Sequence, residues 1–318
     1  MFKKFNTKTL LIILVILGGI AAYSKYSSKK SENTFREEFV KIDTSAVTQI
    51  LIYPKADKGK EIKITKTEKG WELQNDKIKT AADSNAVRSL LGNFADVKSV
   101  SLGAADKSGW GEMQVTDTSG TRIKIITKDQ TYDMIIGKFG YDPASRNGMT
   151  YIRHADEEPV YAIEGFLSMS INQGFNSWRN RGFIHGNKEN WNNLTFTYPG
   201  DSSFVLTKQN NTWMVNGEMA DSTKIVNYLN GLANMQSSGF VDGYTPSSTP
   251  VFTLSIQGNN QPAAISVLAY PADSTQKFIL HSSQNADAYF SEAQSNIAGR
   301  IFVGKGSLMQ TEEVAEKK

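Results

Sequence analysis

Three histidines are the first candidates for acid–base or metal chemistry, because imidazole titrates near neutral pH and binds metal ions. His154, His185 and His281 are far apart in the sequence, and none has a second His or Cys at metal-ligand spacing. In the stretch RHADEEP, His154 is followed by three acidic residues at 156–158, a combination that suits general acid–base catalysis or a hard-cation site. The same stretch is typical of a charged hairpin tip between the strands TYIR and VYAI, which is the interpretation we favour.

Neither a phosphate-binding loop nor a nucleophile motif is complete in the sequence. The stretch GKFGYDPASRNG is glycine-rich and basic, but it lacks the Gly-Lys-Ser/Thr ending of a phosphate-binding loop, and Asp142-Pro143 and Asn147-Gly148 indicate turns instead. There is no Gly-x-Ser-x-Gly motif, and the chain contains no cysteine, which excludes disulfides, thiolate nucleophiles and zinc–thiolate sites. We therefore expect neither catalytic residues nor a cofactor nor a metal site, and we do not expect an enzyme.

The cluster that best suits binding is WRNR, with Trp178, Arg179 and Arg181. A Trp beside two Arg can anchor a protein partner or an anionic ligand, because both residue types are frequent at interface hot spots. Packing and polar contacts at a junction between domains explain the same residues. Both interpretations stay open at this point.

The elements that would position these residues occur twice. Tyr53, Trp71 and Asp83 are followed at offsets of 145, 142 and 138 by Tyr198, Trp213 and Asp221. In each set, an alternating strand after the Tyr-Pro turn leads to a Trp-containing strand, which predicts a hairpin. An amphipathic helix follows, for which the aspartate at 83 or 221 is a good N-cap.

After each helix the sequence returns to strands. EMQVTD, RIKIIT, YDMIIG and the TYIRHADEEPVYAI hairpin follow the first helix, and VFTLSIQ, AISVLAY, KFILHS, AYFSEA and GRIFVG follow the second. Adjacent strands with one helix predict an α+β fold: two tandem copies of a mainly antiparallel sheet with one Asp-capped helix each, plus an N-terminal transmembrane helix.

The predicted boundaries follow from this pattern. Residues 1–30 are assigned to cytoplasmic lysines and an anchor, 36–165 to the first α+β repeat, 166–187 to a connecting segment with a short helix, 188–306 to the second repeat, and 307–318 to a polar tail. A chain of 318 residues is long enough for two domains, each with its own core.

The N-terminus carries the membrane signal. An uncharged apolar run from Leu10 to Ala22 follows three lysines, and residues 9–23 are predicted to anchor the chain in a membrane. A cleavable signal peptide explains the run as well, although GGIAAYSKY has no clean Ala-x-Ala site. In either case the bulk of the chain is expected in the periplasm, and with a retained anchor the protein is a single-pass protein of the bacterial inner membrane.

The charge balance argues against nucleic acid as a partner. Residues 1–30 hold six lysines and no acid, so the formal charge of +3 for the whole chain becomes −3 for the remainder. Neutralising phosphates requires a basic surface, which this remainder does not offer in bulk.

In combination, the early strand VTQILIYP, the tryptophan strands KGWEL and NTWMV, the Asp-capped helices, TYIRH before VYAI, and WRNRGFI resemble a bacterial family of domains of unknown function, number 4340. The resemblance covers roughly residues 36–306 and implies a membrane-anchored accessory protein of ABC transporters of the gliding-motility type, with transporter subunits as partners. It implies no catalytic residue. The alternative is a periplasmic glycan- or peptide-binding module with a cleft between the two repeats.

Overall fold

The structure is a computed structural model that describes residues 36–142, 147–272 and 277–310. Its strands are β1 (Glu38–Lys41), β2 (Val47–Tyr53), β3 (Ile62–Thr67), β4 (Gly70–Gln74), β5 (Lys79–Ala81), β6 (Asp96–Ala104), β7 (Thr121–Thr127), β8 (Thr131–Asp142), β9 (Asn147–His154), β10 (Val160–Glu164), β11 (Gly182–His185), β12 (Trp191–Thr197), β13 (Phe204–Gln209), β14 (Thr212–Val215), β15 (Glu218–Met219), β16 (Asn234–Gln236), β17 (Phe252–Gly258), β18 (Ile265–Pro271), β19 (Phe278–Ser282) and β20 (Tyr289–Ser291).

Helices are few and mostly short. They are α1 (Ser84–Gly92), α2 (Trp110–Met113), α3 (Leu167–Ile171), α4 (Ser222–Leu232), α5 (Glu292–Ser295) and α6 (Ala298–Ile301). Every strand pair described below is antiparallel, so the chain is α+β and mainly β, as the sequence predicts at this level.

The chain divides into two compact units. Unit 1 comprises the residues up to Gly59 together with Ser89–Asn172, and unit 2 comprises Lys60–Arg88 together with the residues from Gln173 onward. In unit 1, strands pair in the order β1-β6-β10-β9-β8-β7-β2. Unit 2 contains the β3-β4-β5 ladder, the β11-β16 pair and an eight-stranded sheet in the order β15-β14-β13-β12-β17-β18-β19-β20.

Period-two burial explains why these segments form strands. In β7, Thr121, Ile123 and Ile125 are buried while Arg122 and Lys124 are not, as expected for a sheet with one face against a core. A core of unit 2 is built from β11–β14, β16–β20 and α4 and is rich in aromatic side chains. In this core, Phe196 stacks on Phe204 with 4.2 Å between the ring centroids.

The two aspartate N-caps are confirmed. Asp83 Oδ1 accepts hydrogen bonds from the backbone N–H groups of Asn85 and Ala86 at 2.9 and 3.1 Å. Asp221 Oδ1 accepts the equivalent bonds from Thr223 and Lys224 at 2.9 and 3.0 Å. Each cap satisfies two of the N–H groups that the first turn of a helix leaves without a backbone partner.

The same order of elements occurs twice along the chain. A strand pair (β1-β6, β11-β16), a ladder ending before the capped helix (β3-β4-β5, β13-β14-β15) and a four-stranded meander (β7–β10, β17–β20) are present in both sets. β2 pairs with β7 as β12 pairs with β17, with Tyr53 opposite Arg122 and Thr197 opposite Thr253. Tyr53 therefore corresponds to Thr197 in burial and in strand register. The sequence comparison pairs Tyr53 with Tyr198, so the second Tyr-Pro turn lies one residue further along its strand than the sequence comparison implies.

Two predicted strands are wrong. In EMQVTD, the first residues belong to α2, which ends at Gln114 in a left-handed conformation (φ 57°). In GRIFVG, the first residues belong to α6, where Glu292 Oε2 accepts the backbone N–H groups of Ile297 and Ala298 at 3.0 and 2.7 Å. These local hydrogen bonds favour a helical turn over the strand that the apolar residues suggest.

The remaining predictions concern boundaries and the anchor. The short helix in the connecting segment is present as α3. The predicted repeat boundaries remain predictions; in the segment predicted as a polar tail, Leu308 is buried in the core of unit 2. The predicted anchor, residues 9–23, lies outside the described residues, and among the helices that the structure does describe none is long and apolar enough to cross a bilayer.

Replacing Asp221 with Ala should lower the free energy of unfolding by about 1 kcal/mol, because two first-turn N–H groups lose their acceptor. Asp221→Asn keeps an acceptor oxygen and is the matched control, expected within a few tenths of the wild type. Urea unfolding of the purified full chain measures both, and equal losses for the two variants would contradict the capping role.

Candidate functional site

Exposed large apolar side chains are concentrated in unit 1. Of the seven in the described residues, five belong to this unit, and these are Val100, Leu102, Tyr141, Phe166 and Met169. The other two, Met219 and Val226, lie in unit 2. Single exposed apolar residues are ordinary on protein surfaces, whereas a contiguous group of them marks an interaction site.

Three of these residues define what we call the apolar face: Val100, Leu102 and Phe166. Val100 and Leu102 lie two residues apart on β6 and are both exposed, and the pairing of β6 with β10 shifts register on either side of this stretch. Val100 and Phe166 both line a cavity of about 650 Å³. Their exposed fractions are 46% for Val100 and 59% for Phe166, so the face is open to a partner.

Phe166 is held in place by its neighbours. Its ring stacks on Phe139 of β8 with 5.1 Å between centroids. It follows Gly165, which has φ of +101°, a conformation that residues with a side chain rarely adopt. The tight bend at Gly165 thus turns the chain out of β10 and presents the ring at the surface before α3 begins.

Charged groups of both signs surround the apolar face. Asp96, Lys98 and Glu164 line the same cavity, and Glu164 also accepts a hydrogen bond from Asn147 Nδ2 at 3.1 Å. An apolar centre with a polar rim of mixed charge is the usual composition of a protein–protein interface.

The apolar face adjoins the point where the described chain begins. The backbone carbonyls of Arg36 and Glu37 accept hydrogen bonds from Ser99, the residue before Val100; the backbone bond to Glu37 measures 2.9 Å. The start of β1 therefore lies directly beside the face.

The predicted Trp178–Arg179–Arg181 cluster lies in unit 2, and its first two members are buried. Arg179 is 2% exposed, forms an ion pair with Asp242 at 2.8 Å, and stacks on Phe240 with its guanidinium carbon 3.8 Å from the ring centroid. The backbone carbonyl of Trp178 accepts the N–H of Asp83 at 2.8 Å. These are packing and polar contacts within one unit; that the cluster contacts a partner stays a prediction.

Two of the three histidines, His154 and His281, contribute to packing, and His185 is exposed at the end of β11. His154 stacks on Phe39 at 4.4 Å and its Nε2 lies 3.2 Å from the Phe39 carbonyl oxygen. His281 stacks near Tyr289, with 4.9 Å between centroids. The charged tip after His154 also forms ion pairs, Glu157 with Arg36 and Glu158 with Lys107. Within the described ranges, no three His, Asp or Glu side chains converge as a metal set.

The residue that sequence reasoning missed is Arg153, which is 1% exposed. Its guanidinium lies 3.6 Å from the centre of the Trp110 ring and donates to the carbonyl oxygens of Val115 and Ala155 at 2.8 and 2.9 Å. It also pairs with Asp117 at 3.2 Å, a carboxylate that is 74% exposed. Burial lowers the pKa of the guanidinium, and the charge of Asp117 opposes this. Arg153 thus ties α2 and the following loop to the sheet.

A second network lies on the same sheet. Arg122 donates from Nε and Nη2 to the two carboxylate oxygens of Asp133 at 2.8 and 2.6 Å, and Lys124 Nζ lies 3.4 Å from Asp133 Oδ2. Burial alone would raise the pKa of Asp133, but the hydrogen bonds and charge of Arg122, with a contribution from Lys124, outweigh it and lower the pKa.

Comparison with known proteins places the chain in a family. Residues 71–255, more than half of the chain, match the model described as Domain of unknown function (DUF4340), and the protein belongs to that family. No curated protein and no solved structure matches the chain.

Arg153→Met should destabilise the protein by about 3 kcal/mol or more, because it leaves several buried carbonyl oxygens without donors. Asp117→Asn is the control: the carboxylate is exposed, so its loss should cost less than about 1 kcal/mol. Urea unfolding of the full-length variants distinguishes the two. A large loss in Asp117→Asn with a small one in Arg153→Met would overturn this assignment.

Asp133→Asn should lower the free energy of unfolding by about 1–3 kcal/mol at neutral pH. The folded-state pKa of Asp133 is lowered, so its stabilisation is present above the unfolded-state pKa of about 4 and is lost as pH falls through the folded-state value. The difference in the free energy of unfolding between wild type and variant should therefore shrink as pH falls from 7 towards 3. A difference that is independent of pH would contradict this account.

Proposed function

We propose that this protein is a non-catalytic, membrane-anchored extracytoplasmic accessory protein that binds a membrane-embedded partner through the apolar face of unit 1. The observation that carries the proposal is the apolar face itself, an exposed group of Val100, Leu102 and Phe166 with a rim of both charge signs. In this proposal the repeated order of elements reflects two tandem copies of one fold, and the partner is a subunit of an ABC transporter or a related envelope machine.

The position of the face supports a partner in the membrane. The chain reaches Arg36 next to Ser99 of β6, and 12 residues lie between Arg36 and Tyr23, the end of the predicted anchor. Even fully extended, the 13 residue-to-residue steps of this link span at most about 45 Å. A retained anchor therefore keeps the apolar face within that distance of the bilayer, where the outward portions of a transporter lie.

The choice of an ABC transporter rests on the resemblance of the sequence to accessory proteins of such machines. The choice of a protein over a nucleic acid rests on the rim, since Asp96 and Glu164 would repel phosphates while Lys98 pairs with acidic groups of a protein. A non-catalytic role accounts for histidines that are used in stacking.

Photocrosslinking in native membranes tests the proposal. A photoreactive phenylalanine analogue at position 100 should give an adduct that mass spectrometry identifies as a transporter subunit, whereas the same analogue at the exposed Val226 of unit 2 should not. The double variant Val100→Glu/Leu102→Glu should reduce co-purification of that subunit by about tenfold or more with a nearly unchanged unfolding midpoint, because surface substitutions change stability by about 0.5 kcal/mol.

Two results would overturn the proposal. One is a position-100 analogue that crosslinks no protein beyond what position 226 crosslinks. The other is co-purification that survives the double variant unchanged.

A further inference from the structure

A second surface of unit 1 concentrates positive charge around a cavity of about 590 Å³. Two of its basic residues, Lys55 and Lys58, belong to the 3₁₀ turn that follows the first Tyr-Pro, and the other two, Arg122 and Lys124, lie on β7. We call these four residues the basic pocket. The cavity is also lined by Asp117, a carboxylate.

The carboxylates near the pocket are already engaged. Asp133 accepts the two bonds from Arg122 and lies 3.4 Å from Lys124, and Asp117 pairs with the buried Arg153. The four residues of the basic pocket and Arg153 are five basic groups, and the carboxylates of Asp117 and Asp133 neutralise two of them. Three positive charges are left. Asp57 is part of the turn but does not line the cavity. Among the described residues, none forms an ion pair with Lys55 or Lys58.

The geometry prepares Arg122 for a ligand. Its Nε and Nη2 are bound to Asp133, which fixes the plane of the guanidinium, while Nη1 donates to no described residue. The two carboxylate oxygens of Asp133 hold the side chains of Arg122 and Lys124 in fixed positions. A pre-positioned Arg with neighbouring Lys side chains is typical of sites that bind phosphate groups.

The second set of strands shows that the fold does not require these charges. By strand register, Arg122, Lys124 and Asp133 correspond to Thr253, Ser255 and Ser266. The second Tyr-Pro turn, Gly200–Ser202, has no lysine. The same ladders form in both sets with uncharged residues in one of them, so folding alone does not explain why the first set gathers four bases at one cavity.

We infer that the basic pocket binds a phosphoryl group, as a free phosphorylated molecule or as a phospholipid headgroup. A phosphate dianion offers several acceptor oxygens for the free Nη1 of Arg122 and the two turn lysines. It also relieves the repulsion among cations that face one cavity.

Isothermal titration calorimetry of the full chain in a nonionic detergent tests the inference. The probes are inorganic phosphate, pyrophosphate and a short-chain phosphatidic acid, with a short-chain phosphatidylcholine as the comparison lipid. Saturable binding is expected, and Lys55→Ala/Lys58→Ala should weaken it about tenfold or more, with a strong dependence on salt. The control Lys77→Ala/Lys128→Ala removes the same charge from exposed positions that line neither the pocket nor the apolar face, and it should leave affinity unchanged.

The outcomes separate the sources. Binding of phosphate or pyrophosphate that requires Lys55 and Lys58 supports a free ligand, and binding of phosphatidic acid alone with the same requirement supports a headgroup. No binding by any probe, or equal weakening in the control variant, overturns the inference. Either result leaves the crosslinking experiment at Val100 unaffected, because the apolar face and the basic pocket share no residue.

Discussion

The rest of unit 2 depends on one backbone hydrogen bond at the N-cap of each long helix. This bond joins the N-cap residue to the chain segment that returns beside the helix. The N–H of Asp83 donates to the carbonyl of Trp178, and the N–H of Asp221 donates to the carbonyl of Leu308. Each aspartate thus caps its helix with the side chain and holds a distant segment with the backbone. Trp178 and Leu308 are both buried, so the two returning segments act as parts of a core.

Much of the secondary structure could be predicted from the sequence, because strong alternation and caps are local signals. Segments such as RIKIIT and the Asp221 helix have one buried face and formed as predicted. β6 was missed because DVKSVSLGA mixes Ser, Lys and Gly with few apolar residues, and its strand state comes from pairing with β1 and β10. GRIFVG was misassigned because Glu292 caps its helical turn, and because the carbonyls of Ile301 and Val303 accept hydrogen bonds from the distant Tyr228 and Tyr198 instead of from a strand.

The candidate surfaces were harder to predict than the fold. Val100 and Leu102 occur in a stretch without a clear period, and only the structure shows that both are exposed. Arg122 and Lys124 look like the ordinary outer residues of an alternating strand until the register places them beside the turn lysines. Arg153, next to a histidine and several acids, is a packing residue whose role depends on the ring of Trp110.

The discontinuous composition of unit 2 has a consequence for biosynthesis. Residues 60–88 belong to this unit, yet the segments that hold Ala82 and Asp83 in place, at Arg179 and Trp178, are made about a hundred residues later. A polypeptide is synthesised from its N-terminus onward, so the β3–β5 ladder is made before these segments exist. Contacts so distant in sequence are slow to form, which gives chaperones and proteases a period in which that ladder is accessible.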